Sequence, residues 1–492
     1  MKNKKNQNQS SSKSNRREFI KKGAMAFGSI AIVPSHVLFA RPELRNKEGE
    51  IIRRASVAAS DRVNMACCGI GNRGGGIMGS FMDTGLSNFV ALCDVDMGAA
   101  HTLKRMNENP KAKKFQDFRE MFDKMEGEID AVSVGTPDFS HFPITMLAMS
   151  KGKHVYVEKP MARTFNEIEL MMAAAKKYNV ATQMGNQGHS EANYFQFKAW
   201  VEAGIIKDVD KIVAHMNGRR RWHGWDTNMS KFPKGQPLPG TMDWDTWLMT
   251  AQPHDYHKDF VNGQWRCWYD FGMGALGDWG AHTMDAFHQF LELGLPYEIN
   301  PVKIEGHNAL FYPQASTLAF KFPKRGDMPK VKVTWYDGMD NRPELPKGYG
   351  ELQVDPNIPP VAGKKQATKL GAGKIIYGKD LTFKGGSHGS TLSIIPEEKA
   401  KDMASMLPEV PVSPSNHFKN FLLACKGEEE CRSSFDIAGP LSQVFTLGTL
   451  AQRLNKKLKF DRDAKKITNN VTANELLVGT PPRKGWEEFY KL

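Results

Sequence analysis

The residues with the most chemical potential in this chain are a lysine and, far downstream, an acid and a histidine. Lys159 ends the run His154-Val155-Tyr156-Val157-Glu158-Lys159-Pro160. A β-branched and aromatic stretch that stops at Glu-Lys-Pro predicts a buried strand carrying an acid and an amine to its carboxyl tip, with Pro160 ending further pairing. In open α/β sheets that tip is where ligands bind. Taken alone, the run also reads as an ordinary strand followed by a solvated lysine. Asp278 and His282 lie in Gly274-Ala275-Leu276-Gly277-Asp278-Trp279-Gly280-Ala281-His282, four positions apart. On a helix starting here they share one face near its N-terminus, and the glycines let a substrate approach the backbone. Taken separately, Asp278 reads as an N-cap and His282 as a core histidine. Together, an amine, a carboxylate and an imidazole could move a proton on and off a hydroxyl.

Such groups need elements to position them. Val63-Asn64-Met65-Ala66-Cys67-Cys68 is an apolar strand that runs into Gly69-Ile70-Gly71-Asn72-Arg73-Gly74, with a helical segment from Gly75 to Met82. G-x-G-x-x-G between a strand and a helix permits a tight turn, lets the backbone reach a pyrophosphate and puts the phosphates on the helix N-terminus. A second strand, Asn88–Cys93, ends at Asp94, the place of a ribose-diol ligand. Asp96 follows, with no arginine between; two carboxylates repel a 2′-phosphate, so NAD is expected over NADP. A further strand over 130–135 ends in Thr136-Pro137-Asp138, and helical segments lie at 97–107, 118–125 and 142–150. A helix over 165–178 and a strand over 180–184 follow Lys159. This alternation predicts an α/β fold with a parallel, doubly wound (Rossmann) sheet spanning 61–185.

The chain has 492 residues, 40% of them hydrophobic, enough for two domains with proper cores. Its formal charge of +13 is concentrated in residues 1–54, which hold 13 Lys/Arg against 4 Asp/Glu, leaving +4 for the remainder. No nucleic-acid partner is expected. The one cluster, Arg219-Arg220-Arg221 beside Trp222 and His223, suits a small anion or a salt-bridged loop better than a nucleic acid. Asn15-Arg16-Arg17-Glu18-Phe19-Ile20-Lys21, followed by a mildly apolar run to Val33, looks like a twin-arginine export signal; Phe19 and Lys21 at their motif positions set this ahead of a disordered basic tail. Residues 1–54 are therefore set apart as signal segment and linker. Membrane contact is expected only through that signal, and the destination is the periplasm. Cys67, Cys68, Cys93, Cys267, Cys425 and Cys431 form no C-x-x-C pair, so neither a disulfide framework nor a metal site is expected.

After the strand over 180–184 come Gly185-Asn186-Gln187-Gly188-His189-Ser190, read either as amides and a histidine for hydroxyl recognition or as a capping turn. Trp265-Arg266-Cys267-Trp268-Tyr269, with Trp222, Trp225 and Trp279, offers flat faces for sugar C–H surfaces, or an aromatic core.

With these motifs in this order, the chain from about residue 61 resembles the glucose–fructose oxidoreductase/inositol dehydrogenase (Gfo/Idh/MocA) family. The carriers are Gly69, Gly71 and Gly74, then Glu158-Lys159-Pro160, then Asp278 and His282. The resemblance implies that Lys159 and His282 transfer a proton at a sugar or cyclitol hydroxyl, with Asp278 binding the substrate. The cofactor would be held by the glycine loop with Asn72, Arg73 and Asp94, and by Thr136, Pro137, His141, Glu158, Lys159 and Pro160. Asn186, Gln187, His189, Arg266 and Trp268 are the further substrate candidates. A second α/β domain, 186–460, would carry a largely antiparallel sheet with strands at 209–217, 302–309, 315–321 and 331–336, and would mediate a homodimer or homotetramer. The chain departs from short members by a Pro/Gly/Lys-rich insert at 338–374, helices at 417–425 and 437–454, and an extension over 461–492.

The expected activity is an NAD-dependent oxidoreductase acting on a sugar, glycoside or cyclitol hydroxyl. Export adds a condition: without an external NAD pool, the cofactor would stay bound and be regenerated in each turnover. The alternative is an NAD-dependent glycosidase or lyase that oxidises transiently. Such glycosidases commonly depart from the Glu-Lys-Pro that is intact here. A non-catalytic sugar-binding protein ranks behind both.

Overall fold

Parallel strands covered on both faces are apolar throughout, and the first strand shows it. Val63–Cys68 (β1) is buried at every position but Asn64. The computed structural model describes residues 61–216, 218, 224, 226–350 and 371–492. The expected export segment, the arginine cluster with Trp222, His223 and Trp225, and most of the second half of the insert lie outside the described residues.

The N-terminal half alternates as its periodicity requires. Helix α1 (Asn72–Asp83) follows β1, then β2 (Ser87–Cys93), α2 (Ala100–Glu108), β3 (Lys113–Phe115), α3 (Phe118–Met125), β4 (Ala131–Val134), α4 (His141–Ser150), β5 (His154–Val157), α5 (Phe165–Tyr178) and β6 (Thr182–Met184). The sheet is parallel in the order β3-β2-β1-β4-β5-β6. The order reverses between β1 and β4, which opens a crevice at their carboxyl ends. Helix α5 shows the local logic: Thr164 accepts the Glu167 N–H, Glu167 returns a bond to the Thr164 N–H, and Asn179 ends the helix in the left-handed region.

The second half starts with α6 (Ala192–Glu202), β7 (Lys211–Met216), α7 (Trp244–Leu248), α8 (Gly274–Thr283) and α9 (Asp285–Phe290). Strands β8 (Glu298–Glu305), β9 (Ala315–Phe322), β10 (Val331–Asp337), β11 (Gly373–Tyr377), β12 (Thr382–Gly386) and β13 (Leu392–Ile395) follow. The chain ends with α10 (Glu397–Met403), α11 (His417–Cys425), α12 (Phe435–Leu454), β14 (Leu458–Asp461), β15 (Lys466–Ile467) and α13 (Val471–Val478). The second sheet has the order β13-β12-β11-β7-β10-β9-β8-β14-β15. Only the β7–β10 pair is parallel.

This sheet corrects the sequence reading in two places. Strand β8 begins four residues before the expected 302, because Pro301 and a register shift before Lys303 hide its start. Strands β11 to β13 and the ribbon β14–β15 were not anticipated, since glycines and lysines dilute their alternation.

The division at residue 186 is crossed more than once. Helix α11 returns to the first sheet, where Phe418, Phe421 and Leu422 pack with Phe81 and Tyr156. The last residues also return: Trp486 and Phe489 lie against Phe118, and Tyr490 against Phe142. Each such buried aromatic contributes about 1.5–3 kcal/mol. The 461–492 extension is thus part of the first half's core. No helix among the described residues is long and apolar enough to cross a membrane.

Candidate active site

The glycine loop leaves no room for side chains. Gly69 has φ +74°, and a Cβ there would lie 2.7 Å from Thr136 Cγ2. A Cβ on Gly74 would lie 1.8 Å from the Gly69 carbonyl oxygen. Helix α1 therefore presses directly onto the loops after β1 and β4. Its N-cap, Gly71, offers no side-chain cap, and its first turn holds no acid. Those first N–H groups remain for an anion. Asn72, at the first helical position, has φ +35°.

Asp94 closes the loop from the other side. One carboxylate oxygen accepts the N–H of Ile70 at 2.9 Å and of Gly71 at 3.2 Å, and the other accepts the Asp96 N–H at 3.1 Å. Burial pushes its carboxyl up, and these bonds oppose the shift. A cavity of about 570 Å³ runs from Asp94, past Gly69, Gly71, Asn72 and Arg73, to Thr136, Pro137, His141, Glu158 and Lys159. The Thr136 hydroxyl, in its wall, is buried without a partner. A bare helix N-terminus, a carboxylate at the ribose position and an orphaned hydroxyl in one elongated cavity fit a dinucleotide. His141 sets the width: its ring nitrogens face the Pro160 carbonyl at 2.8 Å and the Thr136 carbonyl at 2.9 Å.

At the far end is a buried charge cluster. Lys159 Nζ donates to Asp278 Oδ1 at 2.7 Å and to the Asp278 carbonyl at 2.7 Å. Arg266, stacked on Trp265, brings its Nε to 3.6 Å from the same carboxylate oxygen. Asp278 and His282 share a face of α8, as the spacing predicts. The helix starts at Gly274, however, so Asp278 is mid-helix and His282 is in its last turn, not near the N-terminus. His282 is buried, and its Nδ1 has no partner. Burial, and then the nearby Lys159, push its ring well below the ordinary imidazole pKa, so it is neutral.

Two residues at this end of the crevice carry no role in the reading of the sequence. Asp138 lines the cavity wholly buried, and its Oδ2 accepts the Met273 N–H at 3.1 Å, tying the β4 loop to the start of α8. Burial pushes its carboxyl up to about 7, against the pull of Arg266 and Lys159. The second is His388, in the β12–β13 turn, whose ring stacks on His282 at 3.9 Å. Asp138 was visible as a strand-tip acid after Pro137. His388 carried only the signal of a glycine-rich turn, Gly385-Gly386-Ser387-His388-Gly389.

Several expected substrate residues are engaged elsewhere. Asn186 accepts the Ser433 hydroxyl, and Gln187 donates to Tyr156 Oη and Glu158. His189 is fully buried, with Nδ1 2.8 Å from Asp285. For Asn186 the physical reason is the segment 417–433, which lies behind β6, while Gln187 is held by β5 and Glu158, and His189 by Asp285 of α9. Glu158 pairs with the half-exposed Arg73 at 2.9 Å. Trp268 is a core residue whose indole donates to the Asp259 carbonyl. Of the other expected faces, Trp265 lines the cavity, and Trp279 stands edge-on to His388.

A strap from the second half crosses the crevice. Met97 N–H donates to the Thr241 carbonyl at 3.1 Å, and Asp243 N–H to Val95 at 2.9 Å. The Thr241 hydroxyl reaches Asp96 at 2.7 Å, and Gln116 donates to both the Val95 and Thr241 carbonyls. Pro239, Met242, Trp247, Met249 and Val261 complete the cavity wall.

The fold and this crevice define a two-part α/β dinucleotide-binding protein with a charged reactive end. The family model described as "Oxidoreductase family, NAD-binding Rossmann fold" matches residues 63–186, and that described as "Oxidoreductase family, C-terminal alpha/beta domain" matches 192–318. Together they cover just over half of the chain, which belongs to the Gfo/Idh/MocA oxidoreductase family. A glycosyl hydrolase family 109 protein of Saccharopolyspora erythraea is 27% identical over 172 residues, 34% of this chain and 37% of the relative. One from Shewanella putrefaciens is 27% identical over 243 residues, 42% of this chain and 50% of the relative. The chain thus spans half or less of these curated relatives' length. Among solved structures, the WlbA dehydrogenase from Chromobacterium violaceum, in complex with NADH and UDP-GlcNAcA, aligns over 83% of this chain and 99% of its own, with 14% identity and a TM-score of 0.55. The aldose-aldose oxidoreductase from Caulobacter crescentus, complexed with glycerol, aligns over 81% and 100% with 18% identity and a TM-score of 0.50. At these identities the likeness is one of fold.

Proposed function

We propose that the protein is an NAD-dependent oxidoreductase acting on a hydroxyl of a sugar, glycoside or cyclitol, with the cofactor retained between turnovers. The observation that carries the reading is the triad at the crevice end: Lys159 clamped on Asp278, with neutral His282 one turn along the same helix. When bound, the nicotinamide supplies the hydride acceptor. The protein's part is to hold the alcohol and take its proton. An ammonium has three donors. Two of those on Lys159 go to Asp278, and the third is left for the substrate oxygen. The hydroxyl proton then passes to the imidazole of His282. Asp278 and Arg266 keep Lys159 aimed, and Asp138 locks α8 to the crevice floor.

Retention is supported by the strap, which is bonded to both sides of Asp96 and would have to lift before a dinucleotide left. Asp94 and Asp96 favour NAD over NADP. The twin-arginine-like lead makes the periplasm the proposed setting, where a held cofactor has a purpose.

A second reading has specific support from the glycosyl hydrolase family 109 names of the curated relatives. In it a hydroxyl is oxidised to a carbonyl, the neighbouring carbon loses its acidified proton, the carbon beyond it expels the glycosidic oxygen, water adds across the double bond, and the hydride returns. His282 would take and return the proton within one cycle. The experiment is to denature the natively purified protein, assay the released nicotinamide, and analyse products from a panel of sugars, cyclitols and glycosides. Bound NAD with an oxidised sugar supports the first reading, and bound NAD with free aglycone and no net oxidation supports the second. An empty protein that turns over only with added NAD sinks retention.

A further inference from the structure

The β12–β13 turn lies outside both matched family segments, yet it reaches the reactive end. His388 takes φ +57°. In that conformation its N–H donates to the His282 carbonyl at 2.8 Å, closing the end of α8. Its imidazole lies on that of His282 with centroids 3.9 Å apart and planes 14° apart. Trp279 stands edge-on to His388 at 5.4 Å. The turn is wedged in place: a Cβ on Gly188 would lie 2.9 Å from the His388 main chain, and one on Gly389 would strike the Glu191 carboxylate. Ser387 Oγ is 3.0 Å from His388 Nδ1 and fixes the ring. His388 is the solvent-facing member of the pair, and His282 is the buried one.

We propose that His388 is the positioning residue of this site, holding the His282 ring in place and keeping it the uncharged proton acceptor of the reaction. The inference rests on the oxidoreductase reading above. Two imidazoles face to face can hold one positive charge between them but not two. The charged groups around the pair are Lys159 after β5, Arg73 of α1, Asp278 of α8 and Lys374 of β11, with Glu191 packed on the turn. Three of these are cations, so the surroundings add to what burial already does to both rings. A proton arriving from bulk water meets His388 first, and its charge there opposes a second on His282.

The test uses the full-length, NAD-loaded protein and two variants. His388→Ala removes the stack; His388→Phe keeps it and removes the charge. With the most active member of the panel as probe, we expect His388→Ala to lower kcat about 10²-fold through misplacement of His282, with a smaller change in KM. His388→Phe should recover most of that loss and move the acid limb of the pH–rate profile to higher pH, because the competing charge is gone. The His282 ring is also followed without substrate, by NMR titration of histidine-labelled protein: its midpoint should rise in His388→Phe. An unchanged midpoint and acid limb in His388→Phe would overturn the proposal, as would equal loss of kcat in both variants. If no panel member reduces the cofactor in the wild type while the midpoint still rises, the oxidoreductase reading fails and the pairing of the two rings stands.

Discussion

Lys159 and Asp278, distant in sequence, meet twice: the ammonium contacts both the carboxylate and the main-chain carbonyl of Asp278 at 2.7 Å. This contact joins the tip of β5 to α8, and so fixes the reactive end of the crevice at the junction of the two halves. Side chains that are 9% and 4% exposed make it a buried ion pair.

Breaking such a pair from one side is costly. Lys159→Met should lower the rate of cofactor reduction by about 10²–10⁴-fold. It should also destabilise the protein by about 3–5 kcal/mol, because the buried Asp278 loses its 2.7 Å partner while Arg266 Nε stands farther off at 3.6 Å. Adding Asp278→Asn should recover most of the stability and none of the activity. Denaturant unfolding of the single and double variants, with assays on each, checks this.

Asp138 predicts a pH effect on stability. Its carboxyl is raised from 3.8 to about 7 by burial. A raised acid holds its proton more tightly when folded, so its contribution is fully present below about pH 4 and is lost as pH rises through about 7. Asp138→Asn keeps an acceptor for the Met273 N–H and removes the charge. Its stability profile should be flatter than that of the wild type over this window, with a gain above it of up to roughly 4 kcal/mol. Melting curves across pH decide the matter, and parallel profiles would refute it.

With His282 as the proposed proton acceptor, its ring is expected to set the acid limb of activity. A ring held well below the ordinary 6.5 is already neutral in that range. Cofactor reduction should therefore be independent of pH around 6.5 and fall only well below it, as the ring takes a proton. A limb at or above 6.5 in the wild type would mean that another group is the acceptor.

With the cofactor retained as proposed, the strap is expected to slow its exchange. Thr241→Val with Gln116→Ala removes two side-chain hydrogen bonds between the strap and the first half, Gln116 to the Thr241 carbonyl and the Thr241 hydroxyl to Asp96. At about 0.5–1.5 kcal/mol each, release of bound NAD should speed by about one to two orders of magnitude, with the catalytic groups untouched. Dilution into a trap for free NAD, followed by fluorescence, measures it.

What could be read from the sequence follows from distance along the chain. Gly69, Gly71, Gly74, Asp94 and Lys159 are legible because each stands at or just past the tip of a strand visible in its own neighbourhood, and the order of elements determines their common crevice. Asp278 and His282 were legible as a helical pair, though not their place along α8. The surroundings of Asn186, Gln187 and His189 are not legible locally, because their partners Ser433, Tyr156, Glu158 and Asp285 come from distant segments. His388 escaped notice for the same reason: its meaning lies in the ring it covers. Asp138 could be seen at a strand tip, but its burial, and hence its proton, comes from the Met273 end of α8.

The central claim is that Lys159 holds the alcohol while the bound nicotinamide is reduced. The most direct measurement mixes NAD-loaded wild type and NAD-loaded Lys159→Met with the sugar, cyclitol and glycoside panel, and follows the near-ultraviolet band of the reduced cofactor. At least one panel member should raise this band in the wild type, and the variant, though still carrying NAD, should reduce its cofactor orders of magnitude more slowly. Reduction at the wild-type rate in Lys159→Met would contradict the claim.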